Sequence, residues 1–181
     1  MLRNLAIPLI FALIFLSSCG PRLSPFTQRL YEEQNFTQEE LKEIQFYLSE
    51  DLLLVRDFKD GERQITRGTV KIIDGREVEQ VIIKRNTPGV FVFSPKENRF
   101  AVSFEDSDDA YLMFGPNPRN SNRFSILAGD WDRQRGVGTV TYRGLEWKLS
   151  SRDAYAALLI PIKRLRNQET TGRVAGGRKV N

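Results

Sequence analysis

The chain of 181 residues has no histidine and a single cysteine. Without histidine, a Ser/His/Asp triad, a Cys/His dyad and every histidine-containing zinc site are excluded, because the usual proton acceptor near neutral pH and the commonest metal ligand are missing. With one cysteine, Cys19, no disulfide forms within the chain and stability has to come from packing. Neither sign of charge dominates: 27 basic residues against 23 acidic leave a formal net charge of +4, too small and too spread out to imply nucleic acid. No apolar run reaches the ~20 residues that cross a bilayer as a helix. What remains, 40% apolar and 28% charged residues, is the composition of an ordinary globular domain with room for a sizeable core.

The longest apolar run is "LAIPLIFALIFL", residues 5 to 16, preceded by one positive side chain, Arg3. It is too short to span but has the length of a secretory signal's apolar region. Two small residues and the cysteine follow, Leu16-Ser17-Ser18-Cys19. Here the sequence resembles the lipobox of bacterial lipoprotein precursors, over about the first twenty residues. The resemblance implies that the Cys19 thiol receives a diacylglycerol, that residues 1–18 are cut away, and that the new amino group is acylated too. Gly20 follows, not the aspartate associated with inner-membrane retention, which implies the outer membrane, facing the periplasm. Two rival roles for Cys19 fit less well. A catalytic thiol needs a base, and no histidine exists to supply it. A core cysteine needs a fold around it, yet Gly20-Pro21-Arg22-Leu23-Ser24-Pro25 reads as a tether. Each buried acyl methylene contributes about 0.8 kcal/mol, so two or three chains hold a protein at its bilayer.

The chain therefore divides into a signal (1–18), a lipidated tether (19–34), a helix plus β-rich domain (35–164) and a basic flexible tail (165–181). In "NFTQEELKEIQFYLSE", Thr37 and Glu40 have capping-box spacing, and Phe36 and Leu41 stand where a hydrophobic staple puts them. Leu41, Ile44 and Leu48 recur at i, i+3 and i+7 and predict a helix with one apolar face. Asn35-Phe36-Thr37 also matches a glycosylation sequon, but in a bacterial lipoprotein capping is the better account.

From Asp51 onward the apolar period is two. Asp74-Gly75 predicts a two-residue hairpin turn, Pro88-Gly89 a type II turn before Val90 to Phe93, and Arg143-Gly144 a turn before Leu145. Phe100, Val102 and Phe104 alternate with polar neighbours, as do Leu145, Trp147 and Leu149, predicting strands with one buried and one wet face. Further strands are expected at Leu52 to Phe58, Tyr111 to Phe114, Phe124 to Trp131 and Ala154 to Ile162. Pro161 marks the last of them as an edge or closing strand. The expectation is a mainly β fold: an antiparallel small barrel or sandwich of about ten short strands, preceded by one N-terminal helix.

Candidate sites are few. "FEDSDDAY" gathers Glu105, Asp106, Asp108 and Asp109, hard oxygen ligands of the kind calcium takes. It lacks the glycine and the closing glutamate of a calcium loop and reads as a solvated hairpin tip. Asp130 and Asp132 flank Trp131, a carboxylate pair beside a sugar-stacking ring, equally explained by alternation at a strand end. The polar loop "GPNPRNSNRF" (115–124) carries Arg119 and Arg123 and is the kind of segment a rigid scaffold presents to partners.

From Lys163 to the end, six basic residues (Lys163, Arg164, Arg166, Arg173, Arg178, Lys179) face one acidic residue, Glu169. The positive charge is thus a tail property, and the tail is too polar to order itself. Its expected partners are anionic headgroups, lipopolysaccharide phosphates or cell-wall carboxylates. The leading expectation is a non-enzymatic lipid-anchored envelope protein, docking a protein partner, with no cofactor and no nucleic acid. The alternatives are a barrel carrying a small apolar ligand and a carboxylate hydrolase acting on cell-wall sugars.

Overall fold

The computed structural model describes residues 22–58, 68–73 and 75–162. The signal, Cys19, Asp74 and the tail from Lys163 onward lie outside the described residues. Among the described residues, thirteen strands, numbered along the chain, form two antiparallel sheets. The first runs in the order β1 (Leu23–Pro25), β13 (Leu158–Pro161), β2 (Phe46–Leu48), β6 (Pro88–Lys96), β7 (Arg99–Ser103), β8 (Tyr111–Asn117) and β9 (Arg123–Ile126). The second runs β10 (Gly129–Asp132), β11 (Val137–Tyr142), β12 (Leu145–Ser150), β3 (Leu52–Asp57), β5 (Arg76–Ile83) and β4 (Thr69–Ile73).

The sheets pack as a sandwich and do not close into a barrel. Two isolated bridges, Thr27 with Arg123 and Ser125 with Ala157, draw the edge strand β9 back toward the residues flanking β1 and β13, without a continuous ladder. Between the sheets the space is filled by side chains. Phe46, Phe91, Phe100, Leu112, Phe114, Phe124 and Ile160 come from the first sheet, and Leu52, Leu54, Tyr142, Trp147 and Leu149 from the second.

The hub of this core is Phe26, which is fully buried. Its ring centroid lies 5.0 Å from that of Phe124, 5.4 Å from Phe46, 5.8 Å from Phe100 and 6.1 Å from Phe36. This corrects the expected tether. Leu23–Pro25 is the edge strand β1, paired with β13, and the edge tolerates Pro25, which offers no N–H. Next comes a helix, α1 (Gln28–Gln34), capped by the Thr27 hydroxyl, which accepts from Leu30 N at 3.2 Å, and closed by Asn35 at φ 47°. Pro25, read as linker punctuation, ends an edge strand instead, while Pro21 lies outside the described residues.

The second helix, α2 (Gln38–Lys42), begins with the expected capping box: Thr37 Oγ1 accepts from Glu40 N at 3.2 Å, and Glu40 Oε2 accepts from Thr37 N at 2.9 Å. That backbone donor holds the Glu40 carboxyl below its ordinary range. The helix stops at Lys42 and does not run on to Leu48. Ile44, Phe46 and Leu48 are all buried, so a period of two overtakes the period of 3.6, and β2 pairs with β13 and β6.

Both other hairpin turns stand where expected. Ile73 pairs with Arg76 across a two-residue turn containing Gly75 at φ 74°, and Tyr142 pairs with Leu145 across Arg143 (φ 52°) and Gly144 (φ 70°). Pro88-Gly89 is not a turn. The chain reverses at Arg85-Asn86, with Asn86 at φ 61°, and Pro88 opens β6. Gly89 answers a close approach instead: a Cβ there would sit 2.7 Å from the Phe104 ring.

Three smaller corrections follow from how the strands are arranged. Phe124 to Trp131 is two strands in different sheets, β9 and β10, because the chain crosses between layers at Leu127-Ala128. β13 starts only at Leu158 and is internal, flanked by β1 and β2, so Pro161 is the last residue of an interior strand. In β7, Ala101 and Ser103 are buried along with Phe100 and Val102, because Phe93 and Tyr111 on the neighbouring strands meet edge-on at 5.1 Å across the outer face.

Candidate functional site

The acidic loop does not converge on an ion. Ser103 Oγ, buried, ties the loop inward through the carbonyls of Ser107 at 2.8 Å and Ala110 at 2.9 Å. Asp106 and Asp108 are exposed, Asp109 accepts from the Ser107 hydroxyl and lies 3.8 Å from Arg143 Nη1, and Glu105 reaches across to the second sheet. There it accepts from the Tyr142 hydroxyl and pairs with the Arg143 guanidinium at the β11–β12 turn. Burial and the Glu105 carboxylate push the Tyr142 phenol well above its ordinary value. Among the described residues, no group of three or more carboxylates or cysteines is placed to hold a metal ion. Glu105 is thus a clasp between the two sheets.

The Asp130-Trp131-Asp132 triplet lies on β10, the exposed edge of the second sheet. Asp132 Oδ1 accepts from the backbone of Gln134 at 3.0 Å and Arg135 at 3.1 Å, building the turn into β11. Trp131 donates to Ala128 O at 3.1 Å and lies against Gly138, where a Cβ would be 3.0 Å from the indole. One ring face is therefore occupied by backbone, and one carboxylate by a turn.

The loop 115–124 is held more firmly than its composition implies. Asn117 Oδ1 accepts from Arg119 N at 3.0 Å, Asn122 N donates to Asn117 O at 2.9 Å, and Asn122 O accepts from Gln28 N at 2.9 Å. Asn120 Nδ2 donates to Ser125 Oγ at 2.9 Å and to Tyr155 O at 3.0 Å. Ser121 and Asn122 sit at φ 54° and 53°, where a non-glycine residue stays only if its surroundings fix it. Arg119 projects to solvent, while Arg123 turns into a cleft.

That cleft, of about 570 Å³, is where three connections meet. Asn120 comes from the β8–β9 loop and Arg123 from the start of β9, Arg85 from the β5–β6 turn, and Ser49, Glu50 and Asp51 from the link between β2 and β3. Leu159 and the exposed Tyr155 ring complete it. Asp51 is committed internally: it accepts from Arg85 N at 2.8 Å and from Lys84 Nζ at 2.9 Å, and the Arg85 backbone donor holds its carboxyl below the usual range. Among the described residues, neither the Arg85 nor the Arg123 guanidinium makes a hydrogen bond or a close ion pair, although the Arg85 charge acts on Asp51 across the cleft.

Comparison with protein-family models, with curated proteins and with solved structures returns no match. Function must therefore be read from the geometry.

The cleft sets two planar donor forks beside an aromatic ring on a scaffold fixed by hydrogen bonds. A guanidinium fork binds a carboxylate or phosphate in two places at once, and arginine and tyrosine are enriched where protein interfaces concentrate their binding energy. The sequence pointed to the loop and to Arg123. It could not point to Arg85 or Tyr155, each more than thirty positions away, because only the folded sheets bring them together.

Proposed function

We propose that the protein is a lipid-anchored component of the bacterial cell envelope, non-enzymatic, held by acylated Cys19 at the periplasmic face of the outer membrane and docking a protein partner through the cleft between the 115–124 loop and the β5–β6 turn. The observation that carries docking is the pair Arg85 and Arg123, two guanidinium groups with no hydrogen bond or close ion pair within the described fold, set beside Tyr155. Anchorage is supported by the lipobox resemblance at Leu16-Ser17-Ser18-Cys19. The alternative of an apolar-ligand carrier draws less support, since aromatic side chains fill the space between the sheets.

The test is site-specific photo-cross-linking in intact envelopes with the cross-linker at Tyr155. A discrete adduct that disappears when Arg85 and Arg123 are both replaced by alanine supports docking. A smear of abundant neighbours, insensitive to those replacements, counts against it.

A further inference from the structure

The three connections around the cleft fix one another. Ser49 N donates to Ala157 O at 2.9 Å and Ser49 Oγ accepts from Ala157 N at 2.8 Å, so the β2–β3 link is tied to the residue before β13. Asn86 N donates to Leu48 O at 2.8 Å and Arg85 N to Asp51 Oδ1 at 2.8 Å, which tie the β5–β6 turn to the end of β2 and to that link. Asn120 Nδ2 joins the β8–β9 loop to Tyr155 O. The backbone of the cleft is thus set before anything enters, and an occupant does not have to order it.

Charge and size narrow what can enter. The lining holds two guanidinium groups, Arg85 and Arg123, and two carboxylates, Glu50 and Asp51, while Lys84, outside the lining, pairs with Asp51 at 2.9 Å. One positive charge is left in excess. A single carboxylate completes the balance, whereas a phosphate monoester, at about −1.5 to −2, or a run of acids would bring surplus negative charge against Glu50. The volume of about 570 Å³ is that of a cleft for a drug-sized molecule, so it admits a short stretch of peptide and not a folded surface. Beside the charges, Leu159 and the exposed Tyr155 ring offer apolar surface.

We propose that the partner docks by inserting a short segment with one aspartate or glutamate side chain, held by Arg85 and Arg123, next to an apolar side chain laid against Tyr155 and Leu159, and that Glu50 discriminates against segments carrying a second negative charge. This rests on the docking reading of the same cleft and names what docks. The guanidinium forks orient the carboxylate, the ring supplies contact area, and the Glu50 carboxylate supplies the repulsive element that tells one acid from several.

The experiment pans random heptapeptides, displayed without a free C-terminal carboxylate, on the mature chain from residue 19 carrying Cys19→Ser, with the Arg85→Ala/Arg123→Ala double variant as counter-selection. The expected result is enrichment of peptides with one acidic residue beside a leucine, isoleucine, phenylalanine or tyrosine. Synthesised with an amidated C-terminus, the best of them should bind at least about tenfold more tightly than its asparagine or glutamine analogue. It should lose a similar factor on Arg85→Lys/Arg123→Lys, which keeps the charge and removes the forks. A second acidic residue in the peptide should weaken binding to the wild type and not to Glu50→Gln. Shared thermal midpoints show that the variants keep the fold. Enrichment of acidic runs, of peptides without an acid, or of none that the double variant distinguishes would overturn the inference, as would equal affinity for the amide analogue, for the lysine variant or for the doubly acidic peptide. Docking itself is read separately, from the cross-link at Tyr155 in envelopes. An adduct lost in Arg85→Ala/Arg123→Ala beside a failed selection overturns this inference alone, whereas an adduct insensitive to those replacements overturns the docking reading and the inference with it.

Discussion

Arg56 and Glu79 are direct cross-strand partners in β3 and β5, and their side chains meet at 2.8 Å with almost no exposure. The guanidinium also lies over the rings of Phe58 and Trp147, at 5.5 and 5.6 Å, while Glu79 Oε1 accepts from Gly68 N at 3.0 Å. An ion pair thus sits at the end of an apolar core whose neighbours on the same strands are Leu52, Leu54 and Ile83. Breaking such a pair strands one buried charge. Glu79→Gln is expected to destabilise the fold by about 3–5 kcal/mol in denaturant unfolding, whereas replacing both partners with apolar residues of similar volume costs little. A loss below ~1 kcal/mol for the single variant would show that the pair is not buried in solution.

Phe26→Ala is the sharpest check on where the folded domain begins. A ring packed against four others is expected to cost about 3–5 kcal/mol when removed. A residue in a tether would cost nothing. Thermal or denaturant unfolding of the mature chain distinguishes the two.

How much was legible in the sequence follows from the range of the interactions involved. Capping boxes, two-residue turns and alternation are written within a few residues, and Thr37/Glu40, Gly75, Arg143-Gly144 and the β12 alternation all stand as expected. Phe26 was hidden because its partners Phe46, Phe100 and Phe124 are far along the chain, and the adjacent Pro25 reads the same in a linker as in an edge strand. Gly89 was misplaced for a similar reason: a glycine before a strand signals a turn locally, but here it makes room for Phe104, just past the end of the neighbouring strand β7. The cleft was half legible, since Arg123 sits in a conspicuous loop and Arg85 does not.

Gly89→Ala puts that account to a direct test. The added methyl would meet the Phe104 ring at 2.7 Å and Ser103 O at 3.0 Å, so a loss of roughly 1–3 kcal/mol is expected from overpacking. Gly89 does not have the positive φ that a type II turn would require, so without this crowding it would tolerate alanine. Urea midpoints of the two chains decide between them.

Tyr142 predicts a pH dependence. Its phenol is raised by burial first and by the Glu105 carboxylate second, so the folded state holds the proton above the pH at which the unfolded chain releases it. Stability from this group is complete below the unfolded value near ~10 and declines as pH rises past it. Melting temperatures recorded from pH 8 upward should therefore fall more steeply for the wild type than for Tyr142→Phe. That variant should also be about 1.5–3 kcal/mol less stable at neutral pH through loss of the bond to Glu105. Parallel pH profiles would mean that the clasp between the sheets is not formed.

Arg85→Ala and Arg123→Ala are expected to leave stability within about 0.5 kcal/mol, singly or together, because neither guanidinium holds the fold. Unfolding curves check this, and the same variants then report on docking without a folding defect.

Everything proposed about location depends on Cys19, and the most direct measurement is the intact mass of the protein purified from envelopes, together with its N-terminal fragment. The account predicts a chain that starts at residue 19, carries a diacylglycerol and an amide-linked acyl chain on Cys19, and is absent from membranes in the Cys19→Ser variant. A chain that retains residues 1–18, or one that is cleaved elsewhere and bears a free Cys19 thiol, would contradict it.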